Sequence, residues 1–208
     1  MFYKRSAALL VPLLLAGCAS LSPQQCMRAD WRQIGFADGT DGVSAARIND
    51  HAKACAEVGV RPDLDMYLRG REDGLYRYCQ PEKAFSVGRY GGAPNSSDCP
   101  EHLKLSFMEA YRQGYQVHMV EQDLSERRSR IYRNNSLIRR NNERIVEIRE
   151  ELSKKDLPDD RRKALLQDFN RLVEEKNYVG NENVRQMVES DRLQAYLNTL
   201  LRDVGRWR

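Results

Sequence analysis

Leu124, Ile131, Ile138, Ile145 and Leu152 stand seven residues apart in the C-terminal part of this chain. An apolar residue at every seventh position holds one helix face against a partner helix, and four consecutive heptads are the pattern of a coiled coil. The intermediate seam positions hold Arg127, Asn134 and Asn141, with Ile148 added near the end. Asparagine in a seam costs stability and fixes register or partner number. Lys154-Lys155-Asp156-Leu157-Pro158-Asp159-Asp160 then interrupts the helix, because a proline followed by two acids is a turn and a new helix start. A second helix is expected from about Asp160 to Val204, with Gly180-Asn181 loosening it midway. Two long helices joined by a short turn fold back antiparallel, with Ile145 opposite Phe169 and Ile138 opposite Lys176. Each would reach roughly 70 Å at about 1.5 Å per residue. A narrower seam would instead recruit a second chain and give a homodimer.

The other end of the chain carries an address. Lys4 and Arg5 precede an apolar run, Ser6 to Ala16, too short for the ~20 residues that cross a bilayer and suited to a secretion signal. The run ends in Leu15-Ala16-Gly17-Cys18, which resembles the lipobox of bacterial lipoproteins. The resemblance implies cleavage before Cys18 and acylation of that residue, and several acyl chains anchor stably where one is marginal. Ala19 stands where an Asp would signal inner-membrane retention, so the implied location is the periplasmic face of the outer membrane. Residues 18–25 read as a tether.

Export bears on the cysteines. With Cys18 acylated, Cys26, Cys55, Cys79 and Cys99 remain, and an even set in an oxidising compartment reads as two disulfides with three possible connectivities. No C-x-x-C pair exists, which argues against zinc; His51 and Cys55 lie four apart on one helix face, the one spacing that would seat a metal. The helix pattern chooses among the pairings. Cys26 to Asp38 suits a short helix ended by Gly39-Thr-Asp-Gly42. Ser44 caps a second helix, Ala45 to Val58, stopped by Gly59. Asp63 caps a third, running to about Cys79, and Gln80-Pro81 breaks it. A looser, Gly-containing stretch follows. Cys99-Pro100-Glu101 opens a long fourth helix. Antiparallel neighbours then bring Cys26 to Cys55 and Cys79 to Cys99, each bridge contributing roughly 3 kcal/mol through loop closure.

A faint repeat runs through these helices. Trp31-x3-Gly35-x3-Gly39 is similar to Tyr67-x2-Gly70-x3-Gly74, and Phe85-x2-Gly88-x3-Gly92 and Phe107-x2-Ala110-x3-Gly114 echo it. Glycine inside a helix costs ~1 kcal/mol against alanine, so its recurrence beside an aromatic implies helices packed closely. The alternative is a groove lined by Trp31, Tyr67, Tyr76, Tyr78 and Tyr111 that stacks on a glycan or a peptide.

Trp31-Arg-Gln-Ile-Gly-Phe-Ala-Asp-Gly39, His51 to Cys55, Tyr67-Leu-Arg-Gly-Arg-Glu-Asp-Gly-Leu75, Tyr78-Cys79-Gln-Pro81, Ala84-Phe85 and Cys99-Pro100 together resemble an uncharacterised family of proteobacterial lipoproteins, domain of unknown function 2799. The likeness covers about residues 18 to 120. It strengthens the envelope assignment and implies no activity.

Charge and motif content narrow the function. The formal net charge is only +4, so bulk charge gives no reason to expect nucleic acid. Arg127, Arg128, Arg130, Arg133, Arg139, Arg140 and Arg144 cluster on the first tail helix. They read either as a solvated face with helical ion pairs or as a site for anionic envelope groups, whose phosphates or carboxylates suit the guanidinium fork. His51, His102 and His118 lie in no hydrolase elbow, P-loop or zinc-helix motif. His118 and Glu121 share a helix face, and Asp38-Gly-Thr-Asp41-Gly42 lacks the remaining ligands of a calcium loop. No catalytic residue, metal or cofactor is expected.

The expected fold is all-α: a signal peptide over 1–17, a tether over 18–25, a small disulfide-stapled helical domain over 26–120, and a long antiparallel coiled-coil hairpin over 121–208. The expected role is structural or interactive, at the outer membrane, with an envelope protein, peptidoglycan or lipopolysaccharide as partner.

Overall fold

Glycines set the closest approach in the first part of the structure. The computed structural model describes residues 20–205; the signal segment and Cys18 lie outside them. Helix α2 (Trp31–Thr40) and helix α4 (Leu64–Tyr78) pack backbone to backbone. A Cβ on Gly35 or Gly39 would overlap the carbonyl of Tyr67 or Arg71, and one on Gly70 or Gly74 the carbonyl of Arg32 or Phe36. The four glycines interlock, so neither helix can accept a side chain there without moving the other. The close-packing reading of the repeat is therefore the one the structure bears out.

Two shorter helices complete this unit. Helix α1 (Pro23–Met27) opens with a reciprocal cap: Ser22 accepts from the Gln25 amide and the Gln25 side chain accepts from the Ser22 amide. Helix α3 (Arg47–Ala56) ends near Gly59, whose φ of 68° suits a residue without Cβ. The helix expected from Cys26 to Asp38 is thus two helices. The break falls at Arg28–Asp30 because Asp30 leaves helical geometry to cap α2, accepting from the Gln33 amide at 3.0 Å. Asp63 caps α4 as expected.

Disulfides join Cys26 to Cys55 and Cys79 to Cys99, with Cα separations of 5.4 and 5.7 Å. Cys26 and Cys55 pack with Trp31 and Tyr67, flanked by Leu21, Ile34, Ile48, Val58 and Val60. The apolar core is small, and the first bridge runs through it.

The chain divides into two units. The first holds the described residues up to Gln80 together with Asn95–Lys104; the second holds Pro81–Pro94 and everything from Leu105. This differs from an expected boundary near residue 120, and the reason is again glycine. Pro81, expected to begin a loose stretch, opens helix α5 (Pro81–Arg89), since proline at a first turn lacks only an N–H that has no helical acceptor. Helix α6 (Glu101–Leu152) follows. A Cβ on Gly88 would overlap the Tyr111 carbonyl and one on Gly114 the Phe85 carbonyl, so α5 packs against α6 and belongs with it.

Helix α7 (Asp159–Asp203) runs back along α6. Contacts fix the register: Arg161 pairs with Glu151, Asn141 donates to Glu175, Asn134 donates to Asn183, and Arg127 donates to Gln186. Ile145, Ile148, Leu165 and Leu172 form the core near the turn, with Phe169 packed against them, and Ile138 shares a concavity with Lys176. The antiparallel hairpin therefore has the expected pairing. One expectation fails: α7 continues through Gly180-Asn181 without interruption, since a single glycine's propensity cost is small beside the packing of a 45-residue helix.

Replacing Gly70 by Ala raises helix propensity yet forces a methyl into the α2 backbone. The expected outcome is a net loss of about 1–3 kcal/mol, read as a lower urea midpoint.

Candidate functional site

The polar residues of the first unit converge inside it rather than on its surface. Helix α2 supplies Asp38, α3 supplies His51 and α4 supplies Tyr67. The Tyr67 hydroxyl donates to Asp38 Oδ2 at 2.7 Å, and His51 Nε2 lies 2.9 Å from the same oxygen. A carboxylate accepts, so Nε2 carries a proton; His51 Nδ1 lies 2.9 Å from the Ser20 hydroxyl oxygen, within hydrogen-bond distance. Burial, then the hydrogen bond to Asp38 and its charge, push the Tyr67 hydroxyl well above the ordinary tyrosine range. Ser, His and Asp in this order have the composition of a hydrolase relay. Here the His51 ring is 3% exposed, and the trio pins the start of the described chain to α2 and α3. Cys55, the other half of the considered metal pair, is spent in a disulfide.

A second cluster closes the other side of the unit. The buried Arg71 guanidinium donates twice to the Val43 carbonyl, at 2.9 and 2.7 Å, and pairs with Asp98. Asn95 donates to the Gly42 carbonyl and to Asp98, and its amide donates to the Tyr78 hydroxyl. Burial alone would raise the Asp98 pKa, but the bonds from Arg71, Asn95 and Ser97 outweigh it and hold the carboxyl below its usual range.

The proposed aromatic groove is not there. Trp31, Tyr67 and Tyr78 are core residues. Tyr76 is exposed beside His102, and Tyr111 belongs to the second unit, where it stacks on Tyr115. Three of the five rings are buried, so the five do not line one exposed surface. The first unit does have a concavity of about 350 Å³, lined by Leu21, Gln24, Arg28, Asp30, Gln33 and Ile34, with none of those aromatics.

The seven arginines of α6 divide by partner. Arg127 lies in the helix pair, bonded to Asp123 and Gln186; Arg128 donates to Gln194; Arg144 pairs with Glu147 and Asp168. Arg130, Arg133, Arg139 and Arg140 are exposed and have no protein partner among the described residues. From Arg127 to Asn142 the helix has no acidic residue. Arg130, Arg133 and Arg140, three and seven residues apart, share one stripe.

Residues 30–116 match a family model described as a protein of unknown function (DUF2799). That segment is a domain of unknown function 2799. No curated protein and no solved structure matches the chain. The domain of unknown function 2799 spans both glycine-packed helix pairs and stops two residues beyond Gly114. It includes Asp38, His51, Tyr67, Arg71, Asn95 and Asp98, but neither Ser20 nor the arginine run. Among its described residues no group of three or more His, Cys, Asp or Glu side chains is placed to hold a metal.

The sequence reading missed Arg71, Asn95 and Asp98. Their one signal was Asp98 beside Cys99 in a stretch too polar to fold by itself. A depressed folded pKa contributes stability above the unfolded carboxylate pKa of about 3.9, and that contribution is lost as pH falls through the lower folded value. Asp98→Asn should therefore lower the urea midpoint at pH 6. The gap to the parent chain should narrow progressively below pH 4.

Proposed function

We propose that this chain is a lipid-anchored protein of the bacterial envelope, on the periplasmic face of the outer membrane, with a structural or interaction role. The observation that carries the reading is the hairpin. Helices of 52 and 45 residues place far more side chains in solvent than a small core requires, and those side chains carry charge rather than a catalytic constellation. The two disulfides suit an oxidising compartment. No described helix is long and apolar enough to cross a membrane, which leaves the acylated Cys18 as the proposed anchor.

The chemistry of the hairpin points to an anionic partner in the envelope: lipopolysaccharide phosphates, acidic phospholipid or peptidoglycan carboxylates. Arg130, Arg133 and Arg140 are free to fork onto such groups. Nucleic acid is not expected in that compartment.

Two measurements test the reading. Mass spectrometry of the native protein should find Cys18 acylated at a new N-terminus, and Cys18→Ser should release the chain from the membrane fraction; an unmodified Cys18 with the leader attached would sink the anchor. Replacing Arg130, Arg133 and Arg140 by Glu should abolish salt-sensitive pelleting with vesicles containing lipopolysaccharide, because each basic residue near an anionic surface contributes roughly 1 kcal/mol. Pelleting that persists unchanged would remove the arginine stripe from the proposal.

A further inference from the structure

Six helical glycines, Gly35, Gly39, Gly70, Gly74, Gly88 and Gly114, meet the backbone of a neighbouring helix so closely that a Cβ could not fit. Gly180 has no such reason. It lies in the middle of α7, and a Cβ there would meet nothing within 4 Å. Glycine inside a helix costs ~1 kcal/mol against alanine. Where packing does not require it, the other use of a missing side chain is to let a ligand approach the backbone. Gly180 sits in a concavity of about 550 Å³ between α6 and α7. Ile138 and Asn142 line it from α6, and Lys176, Asn177, Gly180 and Asn181 from α7. Ile138 and Asn142 stand four apart, as do Lys176 and Gly180, and Asn177 and Asn181, so each helix presents its lining residues on one face. We infer that this concavity binds an acidic sugar: a ring bearing hydroxyls and one carboxylate or phosphate.

The asparagines in the middle of the hairpin divide by use. Asn134, Asn135, Asn141 and Asn183 bond to one another or to Glu175 and hold the register. Asn142, Asn177 and Asn181 line the concavity and have no protein partner among the described residues, and neither has the Lys176 ammonium. An amide side chain carries two N–H donors and a carbonyl acceptor. A sugar hydroxyl both donates and accepts, so amides serve it where a charged side chain would serve only half of its bonds. Ile138 is the one large apolar residue of the lining and suits the C–H face of a ring. Lys176 carries the only charge in the lining, and no acid there neutralises it, so the matching ligand is an anion. A neutral sugar would leave the ammonium unanswered, and a bare anion would leave the amides to water. The volume lies in the range of small-molecule sites, ~300–1,000 Å³. Arg130, Arg133 and Arg140 do not line the concavity, so it stands or falls apart from the role proposed for that stripe.

The test is a proton–nitrogen NMR titration of the full chain, with Cys18→Ser keeping it in aqueous solution. The probes are glucose-6-phosphate and glucuronate, and the controls are glucose and inorganic phosphate. Both acidic sugars should shift the side-chain amide signals of Asn142, Asn177 and Asn181, and each control should bind about tenfold more weakly or less. Lys176→Gln removes one charge-assisted bond and should weaken both acidic sugars about tenfold while leaving glucose unchanged. Gly180→Leu fills the recess and should abolish the shifts with helical circular dichroism retained, since the parent has open space at that Cβ. Should that variant unfold, Asn177→Asp, which adds an acid of nearly the same shape, should abolish them instead. Asparagine signals that neither acidic sugar moves overturn the inference. So do equal shifts with inorganic phosphate, which would mean an adventitious ion only, and shifts that survive in a folded Gly180→Leu or in Asn177→Asp.

Discussion

The contact on which the rest of this protein depends is peptide against peptide. Where α2 crosses α4, glycines on both helices let the two backbones touch. Each glycine forfeits helix propensity, about 1 kcal/mol. The return is dispersion contact between backbones at a distance no side chain would permit. The short distance dictates what surrounds it. Large residues cannot enter the crossing, so Trp31 and Tyr67 flank it and seal its edges, with the Cys26–Cys55 bridge beside them. Two such aromatics and a disulfide fill a volume that aliphatic side chains fill in larger domains, consistent with the need of small cores for covalent staples.

A core so small leaves polar groups to do the remaining work of closure. Asp38, His51 and Tyr67 join three helices through one carboxylate. Arg71 draws the loop after α2 and the segment before α6 together through Val43 and Asp98. Every bond in these clusters has a named partner, which is the condition under which a buried polar network specifies one arrangement rather than weakening it. The His51 site shows why composition misleads. A serine, a histidine and an aspartate in hydrogen-bonded order need access and charge stabilisation before they do chemistry, and here the imidazole is sealed in.

The sequence made some of this legible for definite reasons. The heptads from Leu124 to Leu152 and the Pro158 break act locally, so the hairpin and even the pairing of Ile145 with Phe169 could be read directly. The disulfide pairing followed from helix ends, which caps such as Asp63 and stops such as Gly59 mark. What could not be read was the direction of side chains. Trp31, Tyr67 and Tyr78 fit a ligand platform as well as a core until the glycine crossing places them. Pro81 reads equally as a breaker and as a first-turn residue, and only the packing of Gly88 against α6 decides. Asn95 and Asp98 gain meaning from Arg71, more than twenty residues away, and no local pattern announces a partner at that separation.

The hairpin obeys a different logic from the domain. Its seam holds Asn134, Asn141 and Asn183, which bond to Asn183, Glu175 and Asn135 and would be left unsatisfied by any shift in register. Specificity is thus written into one face of each helix at the expense of apolar burial. A helix pair that spends part of its seam on register has less apolar area to hold it together, and α7 keeps Val184, Met187 and Val188 out of that seam altogether. Apolar residues in solvent at helical spacing lower stability and solubility unless something covers them.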